Sequence, residues 1–331
     1  MPRPIILGVV GDSAAGKTTI TRGLVRILGE HRVTHIALDD YHRYDRRQRA
    51  EHGITPLHPD ANHLDIMTQH LLHVRAGAPI LKPVYRHTDG TFQPPVYVTP
   101  NAFTVVEGLL GYHTDALCEL FDVRVYLAPP ESLRRKWKVG RDCSRRGYTT
   151  DQVLEELDRR EDDSAAFIRP QQSKADVVVS FRPPPGDARG LDAEIILRPG
   201  LAHPDMSSVV EASAVPLGLE DRDGELHVFI PAAIDPRGAE ALEESVWERM
   251  HFASHLRTER LGEYTIGTDL RRSETLAIVQ VLILYHLVTA RASVALGGVG
   301  VRRDGVVALR TAGAEESDDA DRDPAVAAVA G

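Results

Sequence analysis

The stretch VVGDSAAGKTTITRGL, residues 9–24, places Gly11, Gly16, Lys17 and Thr18 at G-x-x-x-x-G-K-T spacing. An apolar, β-rich run, IILGVV (5–10), leads into it, and TTITRGLVRILGEH follows with apolar residues at helical spacing. A strand feeding a glycine loop that opens a helix is the context a phosphate-binding loop needs. In such a loop successive backbone N–H groups point inward and cradle phosphate oxygens, and the helix adds the positive end of its dipole. Gly11 and Gly16 let the backbone turn and approach with no side chain in the way. Gly11, Asp12, Ser13, Ala14, Ala15, Gly16, Lys17, Thr18 and Thr19 are therefore expected to hold ATP or GTP. Lys17 would reach the β- and γ-phosphates and Thr18 would ligate Mg²⁺.

The rest of the chain extends this beginning. VTHIAL (33–38) reads as a second strand ending at Asp39 and Asp40, AFTVVEG (102–108) as a buried strand ending in Glu107, and DVRVYLAP (122–129) and ADVVVSF (175–181) as two more. Helical patterns cover IMTQHLLHVRAG (66–77), TDALCELF, 131–142 and 150–164. Short apolar strands alternating with helices predict an α/β fold, a P-loop NTPase-type, mainly parallel sheet flanked by helices. After RPPPGDARG (182–190) the pattern changes. AEIILRP and ELHVFIP look like strands of a smaller C-terminal α+β extension, followed by helices at 237–250 and 273–293. The expected division is a kinase-like core over 1–182, an extension over 183–312 and a disordered acidic tail over 313–331.

Charge and cysteine content narrow the function classes. The net charge of −9 on 331 residues argues against general nucleic-acid binding. Much of it lies in EESDDADRD (315–323), whereas LRRKWKVGRDCSRRG (133–147) holds seven Lys or Arg against one Asp, which suggests an anion site. No uninterrupted apolar run approaches the ~20 residues of a membrane span, so no membrane contact is expected. Two cysteines, Cys118 and Cys143, argue against a disulfide framework, and the N-terminus lacks signal-peptide features, so a cytoplasmic protein is expected. The apolar helix at 273–293 serves either a core or a subunit contact, and a homodimer is the expectation.

The strand ends supply candidate chemistry, because in parallel sheets ligands gather there. Glu107 is the candidate magnesium partner. Asp39, in LDDYHRYDR (38–46), would accept the proton of an attacking hydroxyl. Asp40 is assigned an N-cap role. His42, Arg43 and Arg46 suit a substrate that carries its own phosphate. Arginines of RDCSRRGYT (141–149), Arg141 and Arg146 foremost, would close as a mobile flap over the transferring phosphoryl and exclude water. Tyr85 and His87, two apart in KPVYRHTDG, fall on one face of an extended segment and would line the acceptor pocket.

Taken together, GDSAAGKTT, LDDYHRYDR, HPDANHLDIM, KPVYRHTDGT, VVEGLLGYH, RDCSRRGYT and FIRPQQSKADVVV resemble the phosphoribulokinases, within the P-loop kinase family that also holds uridine kinase. The resemblance is closer to the plant and cyanobacterial branch, dense over 5–182 and loose to about 290. It implies ATP-dependent phosphorylation of D-ribulose 5-phosphate at O1. By position it implies Asp39 as catalytic base, Glu107 as the magnesium-associated acid, and Lys17 and Thr18 in the nucleotide loop. It further implies His42, Arg46 and Arg146 on the sugar phosphate, and Lys138, Arg141 and Asp142 on the lid side. Ala15 and Ala37 stand where the photosynthetic branch has regulatory cysteines, so no thiol–disulfide switch is expected. Two alternatives stay open: a uridine or cytidine kinase, which would not need the extra cations, and a nucleotide-sensing regulator that binds ATP without consuming it.

Overall fold

The computed structural model describes residues 2–186, 189–250, 256–266 and 269–300, with the side chains of 145 and 146 left out. The acidic tail expected over 313–331 lies outside the described residues.

Strand β1 (Ile5–Gly11) is buried along its whole length, which is why it reads as an unbroken apolar run rather than an alternating one. Helix α1 (Lys17–Leu28) follows, then β2 (Val33–Ala37), a tight turn at Leu38–Tyr41, α2 (Arg46–Glu51) and α3 (Leu64–Arg75). A two-stranded antiparallel hairpin, β3 (Ile80–Arg86) and β4 (Thr91–Val98), stands apart from the main sheet. The core resumes with β5 (Phe103–Gly108), α4 (Asp115–Cys118), β6 (Val123–Leu127), α5 (Glu131–Arg146), α6 (Thr150–Arg159), the short α7 (Glu161–Asp163) and β7 (Val177–Arg182). Then come β8 (Asp192–Leu197), α8 (Met206–Ser213), β9 (Gly218–Arg222), β10 (Glu225–Ile230), α9 (Pro236–Trp247), the small pair β11 (Glu263–Ile266) and β12 (Asp269–Arg272), and α10 (Glu274–Ala295).

One sheet of eight strands runs β2-β5-β1-β6-β7-β8-β10-β9. Its first five strands are parallel and its last three antiparallel. The two C-terminal segments expected in a smaller region are therefore β8 and β10 of the main sheet. They pair antiparallel beyond β7, so the sheet continues across the change of pattern at 182–190. Helices cover both faces. The larger apolar core joins Ile20, Leu24 and Ile27 of α1 to Leu276, Val279 and Ile283 of α10. The smaller one, on the opposite face, holds Ile6, Val10, Ile36, Met67, Leu71 and Phe121.

Helix α10 is long and apolar enough to cross a membrane by length and composition, a test that a mostly buried core helix also passes. Gln280, Tyr285 and His286 interrupt the run without making the helix polar. It is packed into the fold, with 67% of its most apolar window buried. Gln280 is fully buried and accepts the Gly262 N–H through Oε1 at 2.8 Å.

The end of β1 turns sharply. Gly11 has φ +151°, and a Cβ there would sit 2.6 Å from the carbonyl oxygen of Leu127 on the neighbouring strand. Backbone cannot move away as a side chain would. Gly11→Ala should therefore destabilise the fold by roughly 1–3 kcal/mol, read as a lowered urea midpoint. A midpoint unchanged from wild type would show that the turn tolerates a side chain.

Candidate active site

Three strand tips converge. β1 ends in the glycine loop, β2 in the Leu38–Tyr41 turn and β5 in Glu107, whose register sets it level with Val9 and Ala37. Within the loop, Ala14 adopts φ +66° and Gly16 φ +99°, and left-handed residues among right-handed ones turn successive N–H groups to one side. Ser13 donates its N–H to Asp12 Oδ1 at 2.6 Å, Ala15 is buried, and Thr18 and Thr19 lie in the first turn of α1. Lys17 Nζ donates to the carbonyls of Gly11 and Asp12, both at 2.8 Å, so its ammonium lies across the mouth of the cradle. Burial lowers the Lys17 pKa, opposed by Asp39 first and then by Glu107 and Asp12.

Glu107 gathers hydroxyls. Thr18 Oγ1 lies 3.1 Å and Thr21 Oγ1 3.2 Å from Oε2, and His35 Nε2 lies 3.1 Å from Oε1. Burial alone would raise its pKa; His35, Lys17 and Thr18 outweigh that and hold it below the usual range. One hydroxyl and one carboxylate meeting beside a phosphate cradle form a hard-oxygen donor set. That fits Mg²⁺, which takes one or two carboxylates and completes its shell from phosphates and water. Among the described residues no cluster of three His, Cys, Asp or Glu forms a separate all-protein metal cage.

Asp39 and Asp40 part company at once. A turn of about three residues per cycle sends adjacent side chains to different sides. Asp39 stands 3.4 Å from His87 Nε2. Asp40 is buried; it pairs with Lys82 and accepts the Tyr85 N–H on Oδ1 at 2.8 Å. This corrects the N-cap role assigned to Asp40, since the turn has no side-chain cap and that carboxylate anchors the β3–β4 hairpin. Burial would raise the Asp39 pKa, and the basic groups around it, His42, His87, Lys17 and Arg49, more than offset that. Asp39 is thus ionised at neutral pH.

The hairpin brings Tyr85 and His87 to the same place, their rings 5.2 Å apart, and His42 meets Tyr85 edge to face at 4.9 Å. Arg46 is exposed at the cleft and donates from Nη2 to the His87 carbonyl at 2.5 Å. Arg49, one turn further along α2, is buried and donates to the Tyr85 hydroxyl at 2.7 Å while lying over its ring at 5.3 Å.

The basic run assigned to a flap is helical. Residues 141–146 are the last turns of α5, which Gly147 ends at φ +72°. Arg134, almost wholly buried, donates to the Ser13 carbonyl at 3.1 Å and lies 3.5 Å from Asp12, so α5 is fastened onto the glycine loop. Helical spacing then sets Lys138 and Asp142 together, Nζ to Oδ2 at 2.8 Å, and Arg141 Nε donates to Asp142 Oδ1 at 2.8 Å. Burial pushes Lys138 down to about 8 although Asp142 opposes it. Asp142 falls to about 2, because Arg141 and Lys138 outweigh its own burial. The side chain of Arg146 lies outside the described residues. His35, Thr21, Arg49, Asn62 and Arg134 escaped the sequence reading; only His35, polar in an apolar strand, carried a local signal.

A glycine cradle with a lysine across it, set against an acid from the next strand, defines the P-loop kinase class of α/β fold. Residues 6–184 match the Phosphoribulokinase / Uridine kinase family, and the chain belongs to that family. It is 40% identical over 183 residues to a phosphoribulokinase of Synechocystis sp., covering 55% of each chain. It is 32% identical over 221 residues to the chloroplastic phosphoribulokinase of Triticum aestivum, covering 60% of this chain and 55% of that one. A uridine kinase of Oceanobacillus iheyensis is 30% identical over 181 residues, 54% of this chain and 86% of that one. The chain spans about half the length of the phosphoribulokinases it matches. Among solved structures, a phosphoribulokinase from Rhodobacter spheroides shares the fold at TM-score 0.53 and 21% identity, over 69% of this chain and 90% of that one.

Proposed function

We propose that this protein is an ATP-dependent kinase that phosphorylates D-ribulose 5-phosphate at O1, giving ribulose 1,5-bisphosphate and ADP. One observation carries the reading. An ionised carboxylate, Asp39, faces Lys17 of the phosphate loop, with cationic and hydrogen-bonding groups, Arg46, Arg49, His42 and His87, grouped around it. A nucleoside kinase has no second phosphate to hold and would not need the arginines of that grouping.

In this mechanism ATP lies on residues 11–19. Thr18 and Glu107 would hold Mg²⁺, which would supply positive charge to offset that of the transferring phosphoryl group. Lys17 leaves its two carbonyl partners for the phosphates. Asp39 takes the proton of the acceptor hydroxyl as the oxygen attacks in line. A carboxylate held below its usual pKa is a weak base, so most of the acceleration comes from orientation and charge neutralisation, of which orientation alone can supply roughly 7–11 kcal/mol. Lys138 and Arg141 would act from the lid side, on the helix that Arg134 pins to the loop, and Arg146 is assigned to the sugar phosphate by resemblance alone. Tyr85 backs the pocket, its hydroxyl occupied by Arg49.

The test is ADP release across ribulose 5-phosphate, ribose 5-phosphate, uridine and pantothenate. Ribulose 5-phosphate should dominate. Preference for uridine would move the assignment to the nucleoside kinases, and no turnover with any acceptor despite ATP binding would favour a sensor. Arg46→Ala is expected to raise KM for the sugar phosphate by about tenfold or more, as loss of a charge-assisted bond does. Selective loss of ATP affinity would contradict its placement.

A further inference from the structure

His42 and Asn62 form a buried pair whose proton position can be deduced. His42 Nδ1 lies 2.8 Å from Asn62 Oδ1. The amide cannot be turned the other way round. Asn62 Nδ2 already donates to the carbonyls of Pro56 at 3.1 Å and His58 at 2.9 Å, and a carbonyl oxygen only accepts. An amide oxygen also only accepts, so the hydrogen belongs to His42 Nδ1. The two residues are tied through their backbones as well, by a bridge between His42 and Asn62, and the imidazole is wedged against the Tyr85 ring. On the other edge of the ring, Nε2 has no protein partner among the described residues.

Burial lowers the His42 pKa to about 4. Arg49 and His87 reinforce the shift, and Asp39 and the Asn62 bond oppose it. The ring is neutral at pH 7, and with Nδ1 protonated its Nε2 carries a lone pair.

We propose that Asn62 is a positioning residue that locks His42 in its Nδ1–H tautomer, so that Nε2 accepts a hydrogen bond from a hydroxyl of the acceptor sugar rather than gripping its phosphate. The inference rests on the sugar-phosphate reading for the identity of the acceptor. The chemistry is direct: phosphate oxygens and an unprotonated Nε2 are both acceptors and cannot bond to each other, whereas a sugar hydroxyl donates. The phosphate is left to the arginines, and His42 reads the hydroxylated carbon chain.

Long-range ¹H–¹⁵N spectra of the histidines in the full chain, without substrate, test the lock. Wild-type His42 should show the Nδ1–H tautomer from pH 6 to 8; an Nε2–H tautomer or an imidazolium at pH 7 would overturn the proposal. Asn62→Ala should shift His42 toward the Nε2–H form and raise KM for the sugar phosphate about tenfold, the worth of one hydrogen bond, with KM for ATP unchanged. Asn62→Asp still accepts from Nδ1 but adds a negative charge, which raises the His42 pKa. Sugar affinity should then match wild type at high pH and fall as the pH drops through the raised value, because imidazolium Nε2–H donates. Unaltered KM in Asn62→Ala together with an unshifted profile in Asn62→Asp would sink the idea, and if either variant fails to fold the wild-type spectrum decides alone. The spectrum needs no acceptor, so failure of ribulose 5-phosphate to turn over would count against the function and not against the lock.

Discussion

Asp39→Asn is expected to lower turnover by about 10²–10⁴-fold, the range a positioned general base contributes, while ATP binds as before. The substitution keeps the size of the side chain and removes the carboxylate proposed to accept the hydroxyl proton. It also removes a negative charge from beside Lys17, where Asp39 is the strongest of the opposing charges. That loss should weaken the ammonium's hold on its own proton, not its contact with phosphate. Pre-steady-state ADP formation separates these effects from product release, and nucleotide titration reports the binding side. Unchanged turnover would remove Asp39 from the chemistry; loss of ATP affinity comparable to the loss of rate would mean that it serves the loop instead.

Lys17→Met is expected to cost about 10²–10³-fold in turnover, the scale seen when one donor that meets developing charge is deleted. In the structure the ammonium bridges the carbonyls of Gly11 and Asp12, both at 2.8 Å. It therefore also helps hold the loop closed, and Met leaves two carbonyls without that donor. Two readouts distinguish the roles. A thermal midpoint near wild type with little turnover places the cost on phosphate, whereas a large drop in midpoint with turnover restored at low temperature places it on the loop.

The parts legible in the sequence were those written in short, contiguous spacing. The glycine loop, with a strand before it and a helix after, specified the first β–α unit of the sheet. Asp39 and Glu107 stood out because a parallel strand that ends in an acid presents it at the ligand-binding edge. What the sequence could not show depends on register between distant segments. His35 reaches Glu107 because β2 and β5 are neighbours in the sheet, and Arg49 reaches Tyr85 because Asp40 and Lys82 dock the hairpin there. Asn62 appeared in the motif HPDANHLDIM without a task, since its partner lies twenty residues back on another element. Likewise β8 and β10 were visible as strands, yet their antiparallel place on the main sheet is a long-range pairing with no local signature. The basic run misled for a different reason. Charge density suggested an anion site with every cation available, whereas Arg134 is fastened to the loop and Lys138 and Arg141 to Asp142.

In the proposed reaction Asp39, the phosphate loop and the surrounding cations serve one centre. A crystal structure of the full chain with ADP and ribulose 5-phosphate tests this most directly. The account requires the Asp39 carboxylate within roughly 2.6–3.2 Å of the sugar's O1, with O1 facing the nucleotide's terminal phosphorus and the sugar's own phosphate against Arg46. A carboxylate turned from O1, or a sugar phosphate left in bulk water, would contradict it.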